Sequence, residues 1–162
     1  MASADDKALR EQLVKFLSGG EAHAELKTVV ADFPEKARGA KPKGAAHSPW
    51  QQLEHIRLAL DDLLEFSTNP HYVAKKWPDD YWPKEEAPAN DAAWKAAVKA
   101  LGKTLADFEK LVRNPETNLY AAIPWGDGQT IFREVLLAGQ HTSYHAGQLV
   151  SLRRELGAWQ QD

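Results

Sequence analysis

Two histidines, His141 and His145, sit four residues apart in Gln140-His141-Thr142-Ser143-Tyr144-His145-Ala146-Gly147-Gln148, within a long apolar-periodic stretch that has no proline. On a helix, positions i and i+4 lie one turn apart on the same face. Both imidazoles can then point at one place, which lets a single helix give a metal ion two nitrogen ligands. The same spacing occurs on helices that bind nothing, so the pair alone leaves both readings open. A third histidine, His55, is read as meeting the pair from another helix. Three neutral imidazoles leave at least one coordination position for water or substrate, as in catalytic sites rather than closed structural ones. Zn, Ni, Fe and Cu all accept imidazole, so ligand type does not select the metal.

These side chains depend on the elements that carry them. Helical spacing runs over residues 4–17, breaks at Ser18-Gly19-Gly20, and resumes over 21–33 before Pro34. Residues 35–47, ending at His47, are aperiodic and read as a loop. Ser48-Pro49-Trp50-Gln51 is a helix start, with Ser48 at the N-cap, Pro49 at the first position and Gln51 completing a capping box. That helix is expected to reach about Ser67, ahead of Asn69-Pro70. On its wheel Glu54, Arg57, Asp61 and Glu65 form a charged stripe, while His55 and Asp62, seven apart, fall on the inward shoulder. Such groups are costly on an apolar face unless paired or bound. A buried histidine with a hydrogen-bond partner is the competing reading for His55.

Residues 71–89 hold Trp77, Tyr81 and Trp82 among three prolines. This long connection either seals the core or walls a pocket. Asn90-Asp91 caps a third helix that runs to Asn114-Pro115 and carries no ligand type on its apolar stripe. A loop with a Gly126-Asp127-Gly128 turn leads to Thr130, the expected cap of a last helix over 131–156 that Gly157 ends. Glu134, Ala138, His141, His145, Gln148 and Leu152 form one ridge of it. Asp62, Glu134 and Gln148 are candidates to orient ring N–H groups or a bound water. Gly139 and Gly147 each weaken the helix, and close helix contact or room for a bound group is the usual compensation. His23 lacks a partner at ligand spacing, and His71 lies in a loop. With no convincing strand, four main helical segments predict an all-α bundle in a single domain over residues 1–162.

Composition narrows the chemistry. The 162 residues contain no cysteine, so any metal is held by His, Asp or Glu, and thiol chemistry would bring its sulfur with the substrate. A net charge of -3 gives no electrostatic reason to expect nucleic acid or an anionic membrane. No apolar run spans a membrane, and the polar start shows no signal-peptide pattern, so a cytoplasmic protein is expected. Glu54-His55 is not half of a His-Glu-x-x-His motif, because position 51 is Gln.

Trp50-x-x-x-Glu54-His55 on the second helix, followed by His141-x-x-x-His145-Ala146-Gly147-Gln148-Leu149, resembles the DinB-like (DinB/YfiT) superfamily across nearly the whole chain. The resemblance implies a four-helix bundle with up-down-down-up connectivity, often a homodimer. It implies a divalent metal on His55, His141 and His145. It also implies a bound small thiol, transferred or added to electrophilic small molecules or used to drive isomerisation. Two alternatives stand beside an enzyme of that kind or a related hydrolase. One is a non-catalytic metal- or ligand-binding bundle with a stress or sensor role; the other is a bundle whose histidines are merely packed.

Overall fold

The computed structural model describes residues 4–159; residues 1–3 and 160–162, at the two ends of the expected domain, lie outside the described residues. The protein is all-α. Its helices are α1 (Ala4–Ser18), α2 (Leu26–Val30), α3 (Pro49–Thr68), α4 (Asp91–Arg113) and α5 (Ile131–Glu155), with a short 3-10 turn over Glu35–Ala37. Among the described residues there is no strand, only an isolated bridge between Ala122 and Thr130. Helix α3 packs against α4 and α5, α1 packs against the same two, and α2 lies mainly on α5.

The long helices start as their sequences dictate. Ser48 and Gln51 close a reciprocal capping box ahead of α3, with Pro49 at its first position. Asn90 accepts from the Ala93 N–H to open α4, and Thr130 accepts from the Arg133 N–H to open α5. Between the helices, Leu53, Ile56, Leu60, Phe108, Val112, Val135, Ala138 and Leu149 are fully buried. Truncating one such side chain to alanine costs about 2–5 kcal/mol.

Residues 21–33 depart from expectation. The helix there is only Leu26–Val30. Gly19 and Gly20 both hold positive φ, 73° and 91°, and Glu25 is extended at ψ 140°, so helical geometry cannot begin before Leu26. The apolar positions still do their work: Leu26, Val29, Val30 and Phe33 are all buried, the last beyond the helix end.

Two buried arginines tie α1 to α4 and α2 to α5. Arg10 of α1 donates to the carbonyls of Val112, Asn114 and Thr117 at the end of α4. Arg153 of α5 donates to those of Val29 and Ala31, closing α2. Both satisfy helix-end carbonyls that otherwise lack a donor. On α5, Gly139 has a packing reason, since an added Cβ would collide with the Phe16 ring of α1. At Gly147 a Cβ would meet nothing within 4 Å. No described helix is long and apolar enough to cross a membrane.

Candidate metal centre

Helix α3 carries His55 inward, among Leu53, Ile56, Ala59 and Leu60. Helix α5 presents His141 and His145 one turn apart. One ring nitrogen from each of the three lies within 4.8 Å of the other two. The His141 and His55 Nε2 atoms are 3.0 Å apart, and the ring centroids are 4.4–4.8 Å apart. His55 and His145 are buried, at 2% and 7% exposure. All three expected ligand residues therefore come together.

Their outer nitrogens are held from behind. His55 Nδ1 lies 2.9 Å from the Tyr81 carbonyl. A carbonyl only accepts, so Nδ1 carries the hydrogen and Nε2 faces the centre with its lone pair. His145 Nδ1 donates to Gln52 Oε1 at 2.7 Å, and Gln52 Nε2 donates to Gln148 Oε1 at 2.7 Å. That relay fixes the His145 tautomer in the same sense. His141 is different: its Nδ1 is buried with no hydrogen-bond partner among the described residues. A hydrogen on its Nε2 can bridge to His55 and leaves Nδ1 an orphan acceptor. A hydrogen on Nδ1 is an orphan donor and sets two Nε2 lone pairs face to face. Without a cation, either arrangement leaves a buried polar atom or a repulsion uncompensated.

Burial keeps the rings uncharged. It pushes His141 down to about 4, helped by the neighbouring His55, and His145 down to about 3, helped by His141, His55 and His47. His55 is also lowered, by burial first, against the opposing effect of the hydrogen bond it donates to the Tyr81 carbonyl. Imidazole binds a metal only when neutral, so the three are ready ligands at pH 7. Two nitrogens about 2.1 Å from one ion are at most about 4.2 Å apart. The His55–His141 pair already meets that limit, and the whole group needs little closing. The donor set and the facing Nε2 atoms fit a divalent cation, which would relieve the repulsion between their lone pairs; the His141 Nδ1–H stays without a partner among the described residues in either case.

The 69–90 connection walls the centre. Trp82 is sandwiched between His47, 3.7 Å away and 14° from parallel, and His55, 3.8 Å away and 3° from parallel. Tyr144 places its ring edge-on to His145 and remains exposed. Of the residues expected to support the ligands, Gln148 acts through Gln52. Asp62 does not touch the rings; it accepts from the Tyr72 and Tyr81 hydroxyls. Glu134 Oε1 accepts from Arg133, and its Oε2 is buried without a partner among the described residues. His23 Nε2 pairs with Ser143 Oγ in an exposed contact, and His71 is exposed. Sequence reasoning missed Gln52, although a glutamine three residues before His55 shares its helix face. The Tyr81 contribution is a main-chain atom and carries no signal in residue type.

Fold and site together define a helical protein with a buried three-histidine group fit for metal binding. Residues 20–149, well over half of the chain, match the DinB superfamily, and the chain belongs to it. No curated protein and no solved structure matches it.

Proposed function

We propose that the protein holds one divalent ion, Zn, Ni or Fe, on His55, His141 and His145, and is an enzyme that activates a small substrate thiol or a water molecule. The observation that carries this reading is the meeting of three neutral imidazoles from two helices within 4.8 Å, two with their Nδ1 hydrogens already engaged. A divalent cation bound there would lower the pKa of a coordinated thiol or water and so supply a nucleophile near neutral pH. The chain's own residues do the positioning. Tyr81 and Gln52 aim two Nε2 atoms inward, and Trp82 keeps water off one face of His55. A cleft of about 540 Å³ borders the Gln52 relay, lined by Lys43, His47, Tyr144, Gly147 and Gln148 among others. We assign it to the thiol or its electrophilic co-substrate; the open face of Gly147 leaves room there.

The four long helices are read as an up-down-down-up bundle that takes in the whole chain, 1–162. The tilted ring contact of Trp50 with Trp94 and the Asp61–Thr104 hydrogen bond support parallel α3 and α4. The pairings Gln52–Gln148 and His55–His141 support antiparallel α3 and α5. A cytoplasmic homodimer without a nucleic-acid partner completes the proposal, in keeping with the net charge of -3.

Metal analysis of protein purified without a histidine tag is expected to give close to one equivalent. A value near zero after adding back Zn, Ni or Fe would overturn the reading. Thiol consumption against a panel of electrophiles, wild type beside His145→Ala, tests catalysis. Equal rates would leave the second reading, a non-catalytic metal-binding bundle, which the depth of His55 and the Trp82 cover favour.

A further inference from the structure

Asp62 is a carboxylate buried to 6% exposure two helical turns beyond His55 on α3. Burying a charge there is costly unless it is well paired. Its partners are the Tyr81 hydroxyl at 2.6 Å, the Tyr72 hydroxyl at 3.1 Å and, more distantly, the Lys75 ammonium at 3.9 Å. All three belong to the 69–90 connection. Tyr81 is therefore gripped at both ends: its hydroxyl by Asp62, and its carbonyl by the Nδ1 hydrogen of His55 at 2.9 Å. The tyrosine spans two layers of one helix and ties the carboxylate to the imidazole.

We propose that Asp62 is the positioning residue of His55, acting through Tyr81. The carboxylate sets where the Tyr81 residue lies, and so where its carbonyl sits. That carbonyl sets which nitrogen of His55 bears the hydrogen and which faces His141 and His145. A carboxylate suits the task because it only accepts, and two hydroxyls must donate to it at once. The neighbouring segment has separate anchors: Gln51 Nε2 donates to the Pro83 carbonyl, and the Ser48 hydroxyl donates to that of Glu86. Removing Asp62 thus loosens Tyr81 without releasing the whole connection. His145 is held independently, by Gln52, and supplies an internal reference.

The inference concerns the ring itself, and only its consequence for metal affinity rests on the proposed metal function. The test compares wild type with Asp62→Ala, Tyr81→Phe and Tyr72→Phe. Long-range nitrogen–proton NMR of the metal-free protein at pH 7.5 reads the tautomer of each histidine. Wild-type His55 is expected to be almost wholly Nδ1-protonated, and mixed in Asp62→Ala and Tyr81→Phe. Tyr72→Phe is expected to leave it unchanged, and His145 is expected to be unchanged in all three. Affinity for Zn2+ is expected to fall roughly 10–100-fold in the first two variants and less than threefold in Tyr72→Phe. Asp62→Asn, whose amide still accepts from one tyrosine, is expected to recover part of the loss. A wild-type His55 pattern in both Asp62→Ala and Tyr81→Phe would overturn the proposal, as would an equal change at His145. Should Asp62→Ala not fold, Tyr81→Phe, which removes one oxygen atom, decides alone. Because the tautomer is read without metal, a protein that binds no zinc would refute the metal site and leave this result standing.

Discussion

Replacing Gln52 with leucine isolates the relay behind His145. Gln52 is 2% exposed, and its amide both accepts from His145 Nδ1 and donates to Gln148 Oε1, each at 2.7 Å. Leucine is one bond shorter, fills a comparable volume and can do neither. In the metal-free protein the His145 N–H loses its acceptor deep in the core, at a cost of about 1–3 kcal/mol. Gln148 is half-buried, so water can replace its lost donor, and leucine's apolar burial offsets part of the rest. A net loss of about 1–2 kcal/mol is expected in urea unfolding with chelator present. The ring has one escape: it can move its hydrogen to Nε2 and leave Nδ1 as a bare lone pair. That tautomer points an N–H at the centre, where it cannot ligate. Metal affinity is therefore expected to fall roughly 10–100-fold, which is about 1.4–2.8 kcal/mol of binding. Competition against a chromophoric zinc chelator measures it. Gln148→Ala, one bond further out, is expected to show the same trend at smaller size. If Gln52→Leu lowers the unfolding midpoint but binds zinc within twofold of wild type, the amide is only a core hydrogen bond and the reasoning about tautomers fails.

Other outcomes follow from the same geometry. His55→Ala is expected to reduce zinc binding by at least tenfold while the far-UV helical signal survives; collapse of that signal would mean the ring is packing, not ligation. The metal-free protein is expected to lose stability in acid. With His141 near 4 and His145 near 3 when folded, against 6.5 for an ordinary imidazole, the unfolded chain binds more protons between those values. Stability is then full above pH 6.5 and lost as pH falls toward 4; at 1.36 kcal/mol per pKa step two rings would give about 6 kcal/mol, and solvent screening of these incompletely buried groups reduces this to roughly 3 kcal/mol; an unfolding midpoint that stays flat from pH 7 to 4 would contradict the burial of these rings. Gly139→Ala is expected to destabilise by about 1–3 kcal/mol because Phe16 must move. Gly147→Ala, in open space, is expected to stabilise by up to about 1 kcal/mol in the same urea assay. Arg10→Met is expected to cost about 2–3 kcal/mol, since the Val112, Asn114 and Thr117 carbonyls all lose a charged donor; a change below 0.5 kcal/mol would show that water replaces it.

What the sequence made legible here is what local rules control. A capping box is written in four consecutive residues, so the start of α3 could be read from Ser48 to Gln51. The His141–His145 spacing is one helical turn, and a histidine on the apolar face of α3 needs a partner, so the three rings could be placed before their contacts were known. The shortening of α2 escaped because helical spacing over 21–33 records burial, and Phe33 is buried without being helical. Backbone angles at Gly19 and Gly20, not apolar period, decide where that helix begins. Asp62 shows a different limit. Its place on the inward face was legible, and so was its candidacy to orient a ring N–H, but it touches none of the three rings. The proposed route to His55 was not legible, because it passes through a loop tyrosine's hydroxyl at one end and the same residue's carbonyl at the other. A carbonyl is common to every residue, so its role depends on the path of the 69–90 chain and not on residue type. The same holds for Trp82. Its character as cover could be guessed, but its sandwich between His47 and His55 requires two histidines distant from it in sequence to stand about 7 Å apart on either side of one ring, near twice an ordinary stacking distance.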